Sequence, residues 1–349
     1  MASSLNMFRF ALLLVLSLCL LGHGAAKSLK KLNQTHEEDI DQQLIQEETK
    51  KESLRDVVHK AYPLRLFERF LESSKMSLTL SEYSDTPFTL FMPWDEAFEK
   101  LPFDWLKRLE QPMWALHLKQ FLLHHMHRGG LSLDVLKQIT STVKITMMDG
   151  ESIEIAKKHN RVRIDDVRYI AHTAASDGYA FMMDDILVPS FMEQTAFMVA
   201  PPNLALRWIK YVYLAGMEDL LSDPSTVGTF LVPSNDAFEA VDKDTIALWE
   251  SASGKEELRR ILTFHIVPET LITPGTLEGG RVSTHKTLVQ NQSLQFHVLS
   301  DVLQVNTASA IKGDIVAANG VVHVIDQVLL PTKEIQVELD GTIKSSDMD

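Results

Sequence analysis

Cysteine is nearly absent: the 349 residues hold one, Cys19, inside the apolar stretch near the N-terminus. With no second cysteine the chain closes no disulfide, and outside that stretch it offers neither a cysteine nucleophile nor a thiolate metal ligand. Its stability has to come from packed apolar cores. Positive charge is also in short supply, 34 Lys and Arg against 47 Asp and Glu, for a formal net charge of −13. Nucleic acids and anionic membrane surfaces are held by clustered Lys and Arg that neutralise phosphate, so this balance speaks against both as main partners. The sequence carries no G-x-S-x-G nucleophile elbow, H-E-x-x-H helix, G-x-x-x-x-G-K phosphate loop or calcium-loop pattern. No catalytic residues and no enzyme activity are expected.

Long apolar runs are missing too, with one exception. Arg9 is followed by an apolar run over residues 10–21 and then by the small residues Gly24 and Ala26. That order is the signature of a secretory leader, here residues 1–26. The run is about 12 residues, short of the roughly 20 a helix needs to cross a bilayer. The polar residues 344–349 lack the apolar tail of a lipid-anchor signal. The expected product is secreted to the extracellular space or matrix, without membrane insertion. In that setting two sequons gain meaning as glycosylation sites, Asn33 with Thr35 and Asn291 with Ser293.

What the chain does have is an internal repeat. TLFMPWDEAF at residues 89–98 lies over TFLVPSNDAF at 229–238, and LKQFLLHH at 118–125 over LRRILTFH at 258–265, each pair 140 residues apart. Asp177-Gly178 lies over Asn319-Gly320 at an offset of 142, and ILVP at 186–189 over VLLP at 328–331. A period of this size is that of a domain rather than a solenoid unit. The sequence thus divides into a leader (1–26), a polar N-terminal arm (27–52), a first domain (53–189), a second domain (193–331) and a polar tail (332–349).

Within each copy an apolar strand ends at a proline, Pro93 or Pro233, and a helix follows at once, with Asn235 as its expected N-cap. Leu258, Ile261, Leu262 and His265 stand at the i, i+3, i+4, i+7 spacing of a helix face on a core, as do Leu118, Phe121, Leu122 and His125. Alternating segments around Asp149-Gly150 predict a tight hairpin, and β-branched residues 321–325 predict a buried strand. Helices early and strands late in each copy make the fold class α+β.

The segments TFLVPSNDAF, then LTFH ending at His265, then NGVVHVIDQVLLP from Asn319 through His323 to Pro331, resemble the conserved segments of fasciclin domains in order and spacing. The resemblance covers both copies. It implies two tandem fasciclin-like domains, each a β-wedge or sandwich with helices packed around it. It also implies a non-catalytic adhesion or interaction protein whose partners are extracellular matrix proteins or cell-surface receptors, integrins among them. The family commonly has Tyr-His after the helix; here the pairs are His124-His125 and Phe264-His265. Phe181 replaces the late histidine kept as His323, so the first copy is the more divergent. Family members present an Asp-Ile adhesion motif, which Asp314-Ile315 resembles, with Ile315 expected to anchor in the core; His172 and Thr173 stand there in the first copy. His125, His265, Asn319, Gly320 and His323 are read as structural. Some members carry carotenoids, so a carrier of a lipophilic small molecule is the alternative function.

The cluster His117, His124, His125 and His127 invites a metal reading. His117 and His124 are about 10.5 Å apart along a helix rising 1.5 Å per residue, too far to share an ion. Only His124 and His127 could pair, and the sequence names no third ligand. No metal and no cofactor are therefore assigned.

Overall fold

The computed structural model describes residues 52–76, 86–101, 104–277 and 281–332. The leader, the sequon at Asn33 and nearly all of the two polar ends lie outside these residues. In the first domain the strands are β1 (Phe88–Pro93), β2 (Met126–Arg128), β3 (Val143–Thr146), β4 (Ser152–Lys158), β5 (Arg161–Ile164), β6 (Tyr169–Ala175) and β7 (Gly178–Met183). They form a four-stranded sheet, β2-β1-β7-β6, and a three-stranded sheet, β3-β4-β5. The second domain repeats the set as β8 (Gly228–Pro233), β9 (Ile266–Pro268), β10 (Ser283–Lys286), β11 (Ser293–Leu299), β12 (Val302–Val305), β13 (Ala308–Ala317) and β14 (Gly320–Ile325). Here Val305 pairs with Ala308 and Gln304 with Ser309, which joins the two halves into one seven-stranded sheet, β10-β11-β12-β13-β14-β8-β9. In the first domain only the bridge Ile164 to Val167 stands at that corner.

The centre of each domain is a parallel pair, β1 with β7 and β8 with β14, and all six residues of β1, β8 and β14 are buried. Parallel strands are covered on both faces, and these are. Phe230 and Val232 face the helices of the second domain, while Leu231 between them faces a second core with Leu294, Phe296 and Val305. Leu90 and Met92 on one side and Phe91 on the other repeat this in the first domain. The same period of two that makes a strand thus fills two cores at once. Among the described residues no helix is long and apolar enough to cross a membrane.

Two local expectations are corrected. The N-cap of the helix Asn235–Glu239 is Ser234, whose hydroxyl accepts the Ala237 N–H at 3.1 Å; Asn235 is the first helical residue, and its Oδ1 accepts the Arg207 N–H. The segments around Asp149-Gly150 do pair antiparallel, and the Gly150 N–H donates to the Met147 carbonyl at 3.0 Å to close a tight turn, but with Thr146 opposite Ser152 that turn lies within a five-residue loop instead of joining the strands directly. Met147 and Glu151 close it with a backbone bond of 2.8 Å.

Gly320 opens β14 at φ +148°, and a Cβ on it would lie 1.9 Å from the Gly228 carbonyl oxygen on the neighbouring strand. Gly320→Ala is expected to destabilise the second domain by at least about 3 kcal/mol, because the collision is with backbone that cannot step aside. Chemical denaturation of the full chain measures it.

The domains meet through side chains of the first and main-chain carbonyls of the second. His117, on the helix Ala115–His124, is enclosed by Trp105, Trp114 and Phe191, with centroids 4.5–6.3 Å from its own. Its Nε2–H is shared between the carbonyls of Ala317 and Gly320 at 3.1 and 3.0 Å. Arg108 stacks over Trp114 at 4.8 Å and donates to the carbonyls of Ala318 and Pro224 at 2.6 and 3.3 Å. Leu271, Ala318 and Val321 of the second domain complete the apolar core of the first.

Candidate binding site at the domain junction

The offset between the copies grows from 140 to 142, and one of the two added residues shapes the site. In β13, Lys312 pairs with Val324 and Ile315 with Val322, so two residues, Gly313 and Asp314, bulge opposite His323. In the first domain His172 pairs with Phe181 and Thr173 with Ala180, so a single residue stands there. A bulge re-aims the side chain it carries. Asp314 takes φ +58°, and its N–H donates to His323 Nδ1 at 3.2 Å. The other ring nitrogen of His323 donates to the Ile272 carbonyl at 2.7 Å. Gly313 is where a small residue is needed, since a Cβ would come within 3.0 Å of His323 Nδ1. The first domain solves the same position apolarly, with Phe181 against the ring of His172 at 6.0 Å.

Asp314 is exposed as a residue, and it stands on the wall of a groove of about 900 Å³ between the domains. Lys119, Met113 and Leu116 of the first domain and Leu271, Ile272 and His285 of the second share that groove. Burial against these walls raises the Asp314 carboxyl above the usual carboxylate range, while His323 and Lys119 pull it back. Burial lowers the His323 imidazole, with the Ile272 bond and Asp314 opposing. Ile315 is half buried and packs on the helical core of the second domain.

His125 and His265 are wholly buried in matching positions. Each donates through Nδ1 at 2.8 Å, to the carbonyls of Phe121 and Ile261, and each accepts a backbone N–H on Nε2, from Leu187 at 3.3 Å and Leu329 at 3.0 Å. That pattern needs a neutral ring. Burial accordingly lowers His125 to about 3 and His265 to about 4. Asn319 ties the start of the second domain to its end, with Oδ1 accepting the Ala196 N–H at 2.7 Å and Nδ2 donating to the Leu221 and Asp223 carbonyls. Asn291 sits exposed at a turn with φ +57°. The pairing of His124 with His127 is not what the structure brings together. His127 Nδ1 donates to the Thr146 carbonyl at 2.8 Å, whereas His124 Nδ1 faces Asp149 at 2.6 Å.

Arg108 and His117 carry no motif, and their partners lie 116 to 210 residues away. The signal that could have found the bulge was the change of offset around Gly313.

Comparison with known proteins places both repeats. The model of the fasciclin domain matches residues 63–189 and 206–331, more than half of the chain. Protein sll1483 of Synechocystis is 39% identical over 115 residues, covering 32% of this chain and 61% of that protein. Transforming growth factor-beta-induced protein ig-h3 of Sus scrofa is 25% identical over 247 residues, covering 70% of this chain and 35% of that protein. Human periostin is 32% identical over 117 residues, covering 34% and 13%. The chain thus spans less than two thirds of the length of each of these relatives. Among solved structures, a fasciclin domain pair from the insect cell adhesion molecule fasciclin I aligns over 77% of this chain and 97% of its own, at 18% identity and a TM-score of 0.41.

Proposed function

The chain belongs to the fasciclin domain family, and from that premise we propose that it is a secreted protein of the extracellular matrix or cell surface, binding matrix proteins or integrin-type receptors without catalysis through Asp314. The observation that carries this reading is the bulge in β13. It sets the partly desolvated carboxylate of an exposed residue on the wall of a groove between two domains, with the Asp314 backbone held in a left-handed conformation through His323 to Ile272. A receptor that binds its ligand through a divalent cation needs an accessible anionic oxygen of this kind. The first domain has His172 and Thr173 there and supplies none. Asn291, exposed at its turn, is proposed to carry a glycan, as is Asn33.

The test is spreading of integrin-bearing cells on the immobilised full chain. Spreading is expected, is lost when a chelator removes divalent cations, and is lost on Asp314→Asn with its melting temperature unchanged. Full spreading on the folded variant would return the segment to a structural role.

The groove favours a second reading, carriage of a lipophilic small molecule such as a carotenoid, since Met113, Leu116, Leu271, Ile272 and Leu277 make much of its wall apolar. An absorption spectrum and mass analysis of the protein from its native source separate the two readings.

A further inference from the structure

We propose that His124, Asp149 and Glu151 of the first domain form a binding site for a divalent transition cation, with Zn²⁺ the ion of first choice. His124 ends the helix Ala115–His124, and the five-residue loop after β3 lays both carboxylates against it. One ligand atom from each residue lies within 4.8 Å of the others. His124 Nδ1 is 2.6 Å from Asp149 Oδ2 and 3.9 Å from Glu151 Oε2. Four-coordinate zinc, with bonds of about 2.0–2.1 Å, holds its donors about 3.3 Å apart. The first distance has to open and the second to close, each by less than about 1 Å on that geometry. The side chains of His124 and Asp149 are 2% and 5% exposed, and that of Glu151 is 36% exposed, which leaves an ion a way in and a coordination position for water. Outer contacts already aim the ligands. Asp149 Oδ1 accepts the Glu151 N–H at 3.0 Å, and Glu151 Oε1 accepts the Ser190 hydroxyl at 2.5 Å.

The second domain is an internal control, because it builds the same corner without the charges. Phe264 stands in place of His124, and Val289, 140 residues beyond Asp149, packs in one core with it. Gln292 does for Thr332 what Glu151 does for Ser190, accepting the hydroxyl at 2.7 Å and the N–H at 3.3 Å through a neutral amide. The fold therefore requires neither the imidazole nor either carboxylate. An apolar replacement for a buried polar pair is commonly neutral or stabilising, so the first domain retains these groups for something other than packing. One nitrogen and two carboxylate oxygens form a donor set suited to zinc, with manganese next. With the ion on Nδ1 the ring proton sits on Nε2, which has no hydrogen-bond partner among the described residues; that is one unmade hydrogen bond against three coordinate bonds.

The test is calorimetric titration of the full chain, stripped by chelator, with Zn²⁺, alongside Co²⁺ as a spectroscopic probe. One equivalent is expected to bind, with a Co²⁺ ligand-field band. Affinity should fall at least 100-fold in His124→Phe and in Asp149→Asn, and the band should vanish in the first. His124→Phe installs the residue of the second domain and should fold. If it does not, Glu151→Gln, which keeps the Ser190 clip as Gln292 keeps its own, decides by the same loss of affinity. No stoichiometric uptake by the folded wild type, or unchanged affinity in the folded variants, overturns the proposal.

Discussion

Lowering the pH from about 7 to about 4.5 is expected to remove several kcal/mol of stability, at a rate set by three buried imidazoles. In the folded protein His117 and His265 sit near 4 and His125 near 3, against an ordinary value of 6.5, and burial is the main cause for each. His323 is lowered in the same direction. Above pH 6.5 the rings are neutral folded or unfolded, and the linkage vanishes. Below it the unfolded chain takes up protons that the folded chain refuses. Stability present above that value is then lost at about 1.4 kcal/mol per pH unit for each ring, until the folded value is reached. By about pH 4.5 this comes to about 3 kcal/mol for each of the three rings, and His125 goes on losing stability down to about pH 3. Asp314, raised by burial, acts in the opposite sense, but it is a single group. The measurement is the free energy of unfolding against pH, whose slope between about pH 6 and 4.5 counts protons taken up; about three are expected. A slope below one would mean that these rings are charged or exposed in the native protein.

The second large effect is expected at the junction. Replacing Arg108 and His117 together by Ala should convert coupled unfolding of the two domains into two separate calorimetric transitions. The pair makes four hydrogen bonds to Pro224, Ala317, Ala318 and Gly320, three of them 3.1 Å or shorter. Both Arg108 bonds are charge-assisted, and the guanidinium stacks on Trp114 as well. Together these are worth at least about 3 kcal/mol of coupling, since truncation also leaves buried carbonyls unpaired. The second domain carries no such device toward a further neighbour. The positions 140 residues on from Trp105, Arg108, Trp114 and His117 are Thr245, Leu248, Gly254 and Glu257. A variant that still melts in one transition at the wild-type temperature would show that the interface is held elsewhere.

Much of the fold was legible because it is written in local periods and repeated. Residues 88–93 and 228–233 are uncharged and, apart from Thr89 and Thr229, have no polar side chain, as suits strands buried on both faces, and the i, i+3, i+4, i+7 faces at Leu118 and Leu258 both pack on cores. Local signals failed where two residues competed for one role, as Ser234 and Asn235 did for the cap. They also failed where a turn was longer than its Asp-Gly centre suggests. The site was less legible for a different reason. His117 acts on carbonyls 200 residues away, and Asp149 reaches His124 across 25 residues and a change of secondary structure. Periodicity holds no information about such pairs. The bulge at Asp314 was encoded only as one residue more than its counterpart.

The most direct measurement is the affinity of a purified integrin-type receptor headpiece for the full chain in the presence of Mn²⁺. It should be compared with Asp314→Asn and with Asp301→Asn, an exposed aspartate at the β11–β12 turn outside the groove. Removing an anionic oxygen from a metal-bridged contact should weaken binding at least about tenfold, about 1.4 kcal/mol or more, in Asp314→Asn and leave Asp301→Asn at the wild-type value. Equal affinity of all three folded proteins would contradict Asp314 as the contact residue, and no measurable binding by the wild type would contradict receptor binding of this kind altogether.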